Sequence, residues 1–300
     1  MKLVISLASR GRPDRLVETV KRSIANWRHP NTEMWVQLDD DDQASIEAVA
    51  RAAFPATIHT NVRAREDTIA EKWNRILSVP ADVYSVAADD DPYITFGYDA
   101  RILEAAGRFP DRIGMVYGHL ANMSFTGSLS ATAKWCEILG YLQPEHFPYW
   151  FCDHWTDDLA RITGRMAFSD HRTDQTRVGA TQEMREPAWW ASFYDACYAV
   201  RRREAIKLLD ATNDPKWMRE MKLANAPYHE ERSFAVNQAV RHMQTTPGLN
   251  LKDERYQRVK AKAAEMVRKE LAELPEAQRT WFEGILFPPT EIAGLQRAYG

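Results

Sequence analysis

The sequence predicts an α/β fold in which a mostly parallel sheet is flanked by helices and followed by a helical extension. Short apolar runs alternate with longer amphipathic stretches through the first 120 or so residues, which is typical of strand–helix units around a parallel sheet. After about residue 200, amphipathic stretches follow one another with prolines between them, as in a set of packed helices. We therefore expect a core over residues 1–200 and a helical extension over residues 201–300.

Each element has its own local pattern. The predicted strands are runs of apolar and β-branched residues, and they cover Leu3–Leu7, Met34–Leu38, Ala56–Val62, Val83–Ala88, Gly114–Gly118 and Met166–His171. The predicted helices carry apolar residues three and four positions apart, and they cover Asp14–Asn26, Ala44–Ala53, Thr68–Leu77, Phe96–Phe109, Ala131–Leu139, Arg202–Ala211, His229–Met243 and Asp253–Leu274. Pro215, Pro227 and Pro247 each separate two helices, because proline removes a backbone donor.

Composition excludes several classes of protein. The hydrophobic fraction of 45% and charged fraction of 27% are ordinary for a globular chain. The 39 basic and 42 acidic residues give a net charge of −3, which excludes a uniformly basic surface. Three cysteines do not form a disulfide framework, and no apolar run approaches the 18 or more residues of a membrane helix. We expect a cytoplasmic protein without membrane insertion.

Two aspartate clusters, Asp39–Asp42 and Asp89–Asp91, follow predicted strands. Ligands of open α/β sheets bind at the carboxyl ends of the strands, so both clusters are expected at one edge. Adjacent carboxylates repel one another unless a cation compensates them, and oxygen ligands favour Mg²⁺ or Mn²⁺. Magnesium often shares its coordination shell with substrate phosphates, so the pattern indicates a diphosphate held through a metal. The alternative is that these aspartates cap helices and stabilise turns.

Four segments together resemble a known enzyme family: Val4–Pro13, the strand ending at Asp39, the Glu71–Asn74 helix and Val86–Asp91. They are similar to nucleotide-sugar glycosyltransferases of the Rossmann-like GT-A fold, and most of all to the family 2-like group of bacteria and phages. The resemblance covers about residues 1–185. It implies that Asp39 binds the nucleobase of a nucleoside-diphosphate sugar, with a UDP-sugar as the first expectation. It also implies that Asp89 and Asp91 form a DxD motif for Mn²⁺ or Mg²⁺, with Asp90 beside the donor.

Further residues of these segments are candidates for donor binding. Ser9, Arg10 and Arg12 follow the first strand, and a guanidinium can pair with phosphate or stack on a base; Arg12 could equally be a solvated loop residue. The resemblance places Lys72 and Asn74 beside the donor. Their alternative is an exposed helical face, which we favour for Lys72.

The segment Phe151–Arg161 resembles the acidic motif that supplies the catalytic base of inverting members of the family. The Glu-Asp pair of that motif is missing here, so Asp153, Asp157 and Asp158 are all candidates, and Asp157 is preferred. Such a base removes a proton from the acceptor hydroxyl, and inversion at the anomeric carbon is then expected. The alternative is that these acids cap a helix that begins near Asp157.

A late histidine completes the metal shell in the family, and His171 at the end of a predicted strand matches it. His229 is the competing candidate, and a lone histidine is often a buried or surface residue without such a role.

The sequence does not identify the acceptor of the sugar. The basic run Arg201–Arg203 and the seven basic residues within Lys252–Glu270 could contact DNA, and phages glycosylate hydroxymethylated pyrimidines. Charge runs are more often solvated helix surfaces. Two other functions share these features: nucleotidyl transfer on the same fold, and a non-catalytic module that binds nucleotide sugars or nucleic acid.

Overall fold

The computed structural model describes residues 1–120, 126–148, 150–174 and 184–288. Seven strands form one sheet in the order β3-β2-β1-β4-β6-β5-β7. They are β1 (Leu3–Ala8), β2 (Thr32–Asp39), β3 (Ile58–Arg63), β4 (Val83–Ala88), β5 (Met115–Leu120), β6 (Thr126–Thr132) and β7 (Met166–Thr173). Every pairing is parallel except those of β6, which runs antiparallel to both β4 and β5. The mostly parallel α/β architecture that the sequence predicts is confirmed.

Twelve helices accompany the sheet within the described residues. They are α1 (Pro13–Asn26), α2 (Gln43–Ala52), α3 (Ile69–Asn74), α4 (Tyr98–Ala106), α5 (Ala133–Leu139), α6 (Cys152–Thr163), α7 (Pro187–Ala196), α8 (Tyr198–Asp210), α9 (Lys216–Ala224), α10 (Ala226–Arg241), α11 (Glu254–Leu271) and α12 (Glu276–Leu286). A short 3₁₀ turn, Arg75–Ser78, continues α3.

The sheet is buried on both faces. All six residues of β1 are buried, as expected for a central strand of a parallel sheet. One apolar cluster joins the sheet to α1, α2 and α4 through residues such as Leu16 and Val20. The other joins the opposite face to α5–α8 and continues through Tyr256 of α11 to Phe282 of α12. The helices after residue 200 therefore share a core with the sheet.

Several boundaries differ from those predicted. The strand β6 occupies the residues just before α5, where no strand was expected, because its sequence is rich in Ser, Thr and Gly. Helix α6 begins at Cys152, earlier than the predicted start near Asp157. Helix α7 was missed because nearly every residue of it is buried, so it lacks an amphipathic pattern. Among the described residues, none of the helices is both long and apolar enough to cross a bilayer.

Candidate functional site

The loop after β1 connects the two acidic clusters. Strand β1 lies between β2 and β4. Arg10 Nη1 lies 2.8 Å from Asp39 Oδ2 at the end of β2, and Arg12 Nη2 lies 2.5 Å from Asp89 Oδ1 just after β4. Gly11 between them has a φ of +66°, which glycine adopts without the strain that other residues incur. The structure thus brings both clusters to one edge of the sheet, on either side of one turn.

Asp39 is a fully buried carboxylate surrounded by cations. Its Oδ1 lies 2.6 Å from Lys72 Nζ and 3.8 Å from Arg75 Nη2. Lys72 is 6% exposed and also donates to the Ser9 carbonyl at 3.3 Å. The expectation of an exposed Lys72 is therefore wrong, because α3 packs against β1. Burial lowers the pKa of Lys72, and the contact with Asp39 opposes that shift. A ligand at this end of the edge meets Arg10 first, since the Arg10 side chain is 35% exposed.

The rest of the first acidic run mainly stabilises the loop. Asp41 accepts two hydrogen bonds from the Arg10 guanidinium at 2.5 and 2.9 Å, and this contact lowers the pKa of Asp41 to about 2. Asp42 caps α2 through Ser45 N at 3.4 Å and accepts from Gly11 N at 2.7 Å. The turn-and-cap interpretation therefore accounts for Asp41 and Asp42, and these contacts hold Arg10 and Gly11 in place.

Asp89 is wholly buried and engaged at both carboxylate oxygens. Ser9 Oγ donates to Oδ2 at 2.7 Å, and Arg12 contacts Oδ2 through Nε at 3.0 Å and Oδ1 through Nη2 at 2.5 Å. Thr19 Oγ1 of α1 donates to the Asp89 carbonyl at 2.6 Å. Burial raises the pKa of Asp89, while Ser9 and Arg12 favour its ionised form. Arg12 thus makes one charge-assisted hydrogen bond to Asp89, through Nε, and a close ionic contact with the other carboxylate oxygen.

Asp90 and Asp91 complete the turn after β4. Asp90 Oδ2 lies 3.3 Å from Arg12 Nη1 and 4.0 Å from Arg15 Nη1. Asp91 is half-buried, and its backbone N–H closes the turn by donating to the Ala88 carbonyl at 3.2 Å. Asp89 and Asp90 thus lie next to arginines from the start of α1. We call residues 89–91 the acidic turn.

His171 of β7 lies inside the protein. It is fully buried, and its Nε2 lies 2.9 Å from Ser128 Oγ. Its ring packs 5.9 Å from that of Tyr93 and against Gly118, where a Cβ would fall 2.2 Å from Nε2. A bulge in the pairing of β5 with β6 and β7 accompanies this glycine. Burial lowers the pKa of His171 to about 4. In this arrangement His171 is a buried hydrogen-bonded side chain.

The acidic turn fits a divalent cation that arrives with phosphates. Within the ranges of the chain that the structure describes, no three His, Cys, Asp or Glu side chains are grouped closely enough to hold a metal ion. Asp89, Asp91 and His171 therefore do not form a ready-made three-ligand cage. Magnesium, however, is commonly held by one or two carboxylates plus substrate phosphates and water. Asp89 and Asp91 are carboxylates of the required type, although Asp89 is buried against Arg12 in this structure.

The Asp158 carboxylate of α6 contacts three other helices. Tyr194 Oη donates to its Oδ2 at 2.5 Å, and Ser233 Oγ donates to Oδ1 at 2.9 Å. Arg201 Nε, within a fully buried side chain, lies 3.4 Å from Oδ2. One carboxylate thus ties α6 to α7, α8 and α10, and both of its oxygens are occupied.

Asp153 and Asp157 are more exposed than Asp158. Met115 N donates to the Arg165 carbonyl at 2.9 Å, so the end of α6 meets the start of β5 and the beginning of α6 lies toward the carboxyl edge of the sheet. Asp153 is in the first turn, with a 65% exposed side chain. Asp157 is 23% exposed and pairs with Arg161 Nε at 2.6 Å. Burial raises the pKa of Asp157, and the Arg161 contact opposes the shift.

The Asn74 side chain stabilises the loop before α6. Its Oδ1 accepts from the backbone N–H groups of Leu142 and Gln143, both at 2.9 Å. Its amide donates to the Gln143 carbonyl and to Glu145 Oε1, both at 2.8 Å. All of its hydrogen-bonding capacity holds the loop before α6, so Asn74 does not join the group around Asp39 and Asp89.

His229 belongs to the surroundings of α6. It lies one turn before Ser233 on α10 and is half-buried. Burial lowers its pKa, and the Asp158 carboxylate acts against that shift.

Sequence reasoning missed four residues that shape this region: Thr19, Arg75, Tyr194 and Arg201. Arg201 was visible only as part of a basic run. Its burial against Asp158 and the Tyr194 ring, 3.8 Å from the guanidinium carbon, has no local signature. Thr19 lies on the buried side of α1, and a polar residue on an apolar helix face was the one available signal.

No family model matches the chain, and no curated protein matches it. Solved structures do resemble it. The mannosyltransferase PcManGT from Pyrobaculum calidifontis, in complex with GDP-Man and Mn²⁺, is 13% identical over 95% of this chain and 84% of its own, with a TM-score of 0.52. TarS from S. aureus, residues 1–349 in complex with UDP-GlcNAc, is 11% identical over 95% of this chain and 87% of its own, with a TM-score of 0.55. The chain therefore has the GT-A fold that these glycosyltransferases share.

Proposed function

We propose that the protein is a metal-dependent glycosyltransferase that moves a sugar from a nucleoside-diphosphate sugar to an acceptor hydroxyl. One observation carries the proposal: on a GT-A fold, a single turn after β1 contacts a carboxylate cluster on each side, Asp39 at the end of β2 and the acidic turn after β4. Solved structures with this fold bind GDP-Man and UDP-GlcNAc. Fold alone does not define activity, so the proposal depends on this arrangement of residues.

The two ends of the edge suit different parts of the donor. Around Asp39, Arg10 and Lys72 already neutralise the carboxylate, so this end offers a guanidinium face on which a nucleobase can stack. At the other end, Arg12 and Ser9 lie beside the acidic turn and can donate to phosphate oxygens. We place the base at the β2 end and the diphosphate at the β4 end.

Asp91 and Asp89 are the residues that would hold Mn²⁺ or Mg²⁺. Such a cation would neutralise the charge of the departing nucleoside diphosphate. The contribution of the chain is to fix these carboxylates: Thr19 and Ser9 hold Asp89, and the Asp91 N–H closes the turn. A role for His171 as a third ligand stays a prediction.

Asp157 is the proposed general base. A general base works best when its pKa is raised toward the working pH, and burial raises the pKa of Asp157, whose side chain is 23% exposed. Asp153 is the alternative because it is the most exposed of the three acids. Asp158 is not proposed, since its oxygens are occupied. A single base acting on the acceptor would give inversion.

The acceptor remains the broadest part of the proposal. The basic residues of α11 include Arg258, paired with Asp67 at 2.6 Å, and Lys260, paired with Glu186 at 2.8 Å. These pairs favour the solvated-surface interpretation of that charge run. Hydroxymethylated DNA therefore belongs in an acceptor panel beside small polyols and proteins, without priority.

The test is a donor panel of UDP-, GDP-, CDP- and TDP-sugars with Mn²⁺. We expect one donor class to raise the melting temperature, because a ligand that binds the native state stabilises it, and to release nucleoside diphosphate slowly without acceptor. D91N should abolish the metal-dependent shift. The matched control is D170N, which removes a carboxylate whose side chain is 85% exposed on β7. A D91N protein with an intact metal-dependent shift would contradict the metal assignment.

The same panel separates the alternatives. Nucleotidyl transfer would release pyrophosphate from a nucleoside triphosphate. A binding module would show the thermal shift without turnover of any donor or acceptor. If no donor changes the melting temperature in the presence of metal, the glycosyltransferase proposal is wrong.

A further inference from the structure

Arg12 makes ionic contacts with two carboxylates of the acidic turn. Arg12 reaches both oxygens of Asp89 at 2.5 and 3.0 Å and Asp90 Oδ2 at 3.3 Å. Ser9 Oγ takes a further position on Asp89 Oδ2. Because Asp89 is completely buried, a metal ion cannot bind its carboxylate oxygens while Arg12 keeps these contacts.

The backbone on both sides of Arg12 is held in place. Gly11 N donates to Asp42 Oδ2 at 2.7 Å, and Pro13 fills the first position of α1. A proline also restricts the conformation of the residue before it. Thr19, further along α1, donates to the Asp89 carbonyl. The start of α1 thus places the backbone of Arg12 next to Asp89, while the Arg12 side chain can exchange partners.

The geometry points to Arg12 as an internal cation that occupies the carboxylates of Asp89 and Asp90 until a diphosphate arrives; this inference rests on the proposed function of the acidic turn. A guanidinium pairs with phosphate as readily as with carboxylate. A diphosphate can therefore take Arg12 from Asp89 and leave the carboxylate to the divalent cation. Metal binding then depends on the diphosphate, and by linkage diphosphate binding depends equally on the metal.

Removing Arg12 should therefore change two affinities in opposite directions. Mn²⁺ alone should bind more tightly, because its competitor at Asp89 is gone. UDP or GDP without metal should bind more weakly, because a phosphate partner is gone. A merely structural Arg12 would lower both affinities together.

The experiment measures Mn²⁺ binding to the full chain by electron paramagnetic resonance of the free ion, at pH 8 and without nucleotide. We expect R12Q to bind Mn²⁺ on the order of tenfold more tightly than the wild type, as the loss of one charge-assisted contact implies. The matched control is R112Q, which removes an arginine paired with Asp82 at 2.8 Å before the start of β4. R112Q should bind Mn²⁺ as the wild type does. The R12Q/D91N double variant should lose the gain.

Unchanged or weaker Mn²⁺ binding by folded R12Q overturns the inference, and so does a gain that persists in R12Q/D91N. If R12Q does not fold, R12K decides, because lysine keeps the charge but loses the two-point contact; it should bind Mn²⁺ at least about threefold more tightly, and wild-type affinity overturns the inference. The Mn²⁺ measurement uses no nucleotide or sugar. A gain of Mn²⁺ affinity in R12Q, together with no turnover of any donor by the wild type, would therefore contradict the proposed function and leave this inference standing.

Discussion

Replacing Asp158 and Asp157 by asparagine separates a structural from a catalytic carboxylate within one helical turn. In D158N the shape is kept, but the fully buried Arg201 loses the carboxylate that lies 3.4 Å from its Nε. Removing one partner of a buried ion pair costs about 3–5 kcal/mol. Since ~1 kcal/mol shifts the midpoint of a chain this large by a few degrees, the melting temperature of D158N should fall by roughly 6–15 °C.

Asp157 should behave in the opposite way. Its pair with Arg161 joins residues four apart on α6, and both side chains are about a quarter exposed. Such pairs contribute only about 0.5 kcal/mol, so D157N should melt within about 2 °C of the wild type. Because Asp157 is the proposed base, D157N should nevertheless slow transfer to the acceptor by about 10²–10⁴-fold.

The assay pairs thermal and urea unfolding with release of nucleoside diphosphate in the presence of acceptor. D153N is the third arm, because Asp153 is the alternative base and its exposed side chain contributes little to stability. If D158N melts like the wild type and loses turnover while D157N keeps it, Asp158 is the base and our assignment of the two residues is wrong.

Three further predictions concern the stability of the fold and, in one case, its dependence on pH. N74A should lower the free energy of unfolding by about 1–3 kcal/mol, because buried backbone groups lose their partners, and should leave nucleotide affinity by calorimetry unchanged; a fall in affinity without a fall in stability would restore Asn74 to the donor site. Burial raises the pKa of Glu230 to about 7, so its stabilising contribution is complete below its ordinary pKa near 4.5 and is lost as the pH rises through 7. E230Q should therefore be more stable than the wild type at pH 8, on the order of 1 kcal/mol after solvent screening, and no more stable at pH 4; equal urea midpoints at pH 8 would contradict this. G118A should force the His171 ring aside and cost about 1–3 kcal/mol, and a wild-type unfolding midpoint would show that the ring has other room.

The elements that the sequence predicts best are those with strong periodic patterns. Strands β1 and β4 are apolar runs with one serine each, and both lie at the centre of the sheet. Strand β6 escaped prediction because its packing is polar: Ser130 Oγ donates to Ser85 Oγ of β4 at 3.0 Å. Only the neighbouring strand makes a serine-rich segment favourable in a sheet, and that neighbour is 45 residues away in the sequence.

The site shows the same division between local and distant information. That acids would follow β2 and β4 was predictable, because it needs only the ends of two strands. Which of these aspartates pair with cationic side chains was not predictable from the sequence. Lys72, one partner of Asp39, comes from α3. Ser233, one partner of Asp158, comes from α10, 75 residues away. The sequence shows the aspartates, whereas the roles of individual carboxylates depend on tertiary partners.

The two ends of this edge of the sheet differ in how their carboxylates are paired with cationic side chains. At the β2 end, Arg10 and Lys72 both lie within 3 Å of Asp39, so an added cation would meet positive charge. At the β4 end, Asp89 and Asp90 share one close arginine, Arg12, and Arg15 lies 4.0 Å from Asp90. Opposite charges attract and like charges repel most strongly where water is excluded. We therefore propose that the divalent cation that accompanies the diphosphate lies at the acidic turn, and that the uncharged base lies at the β2 end, where Asp39 is already paired with two cations.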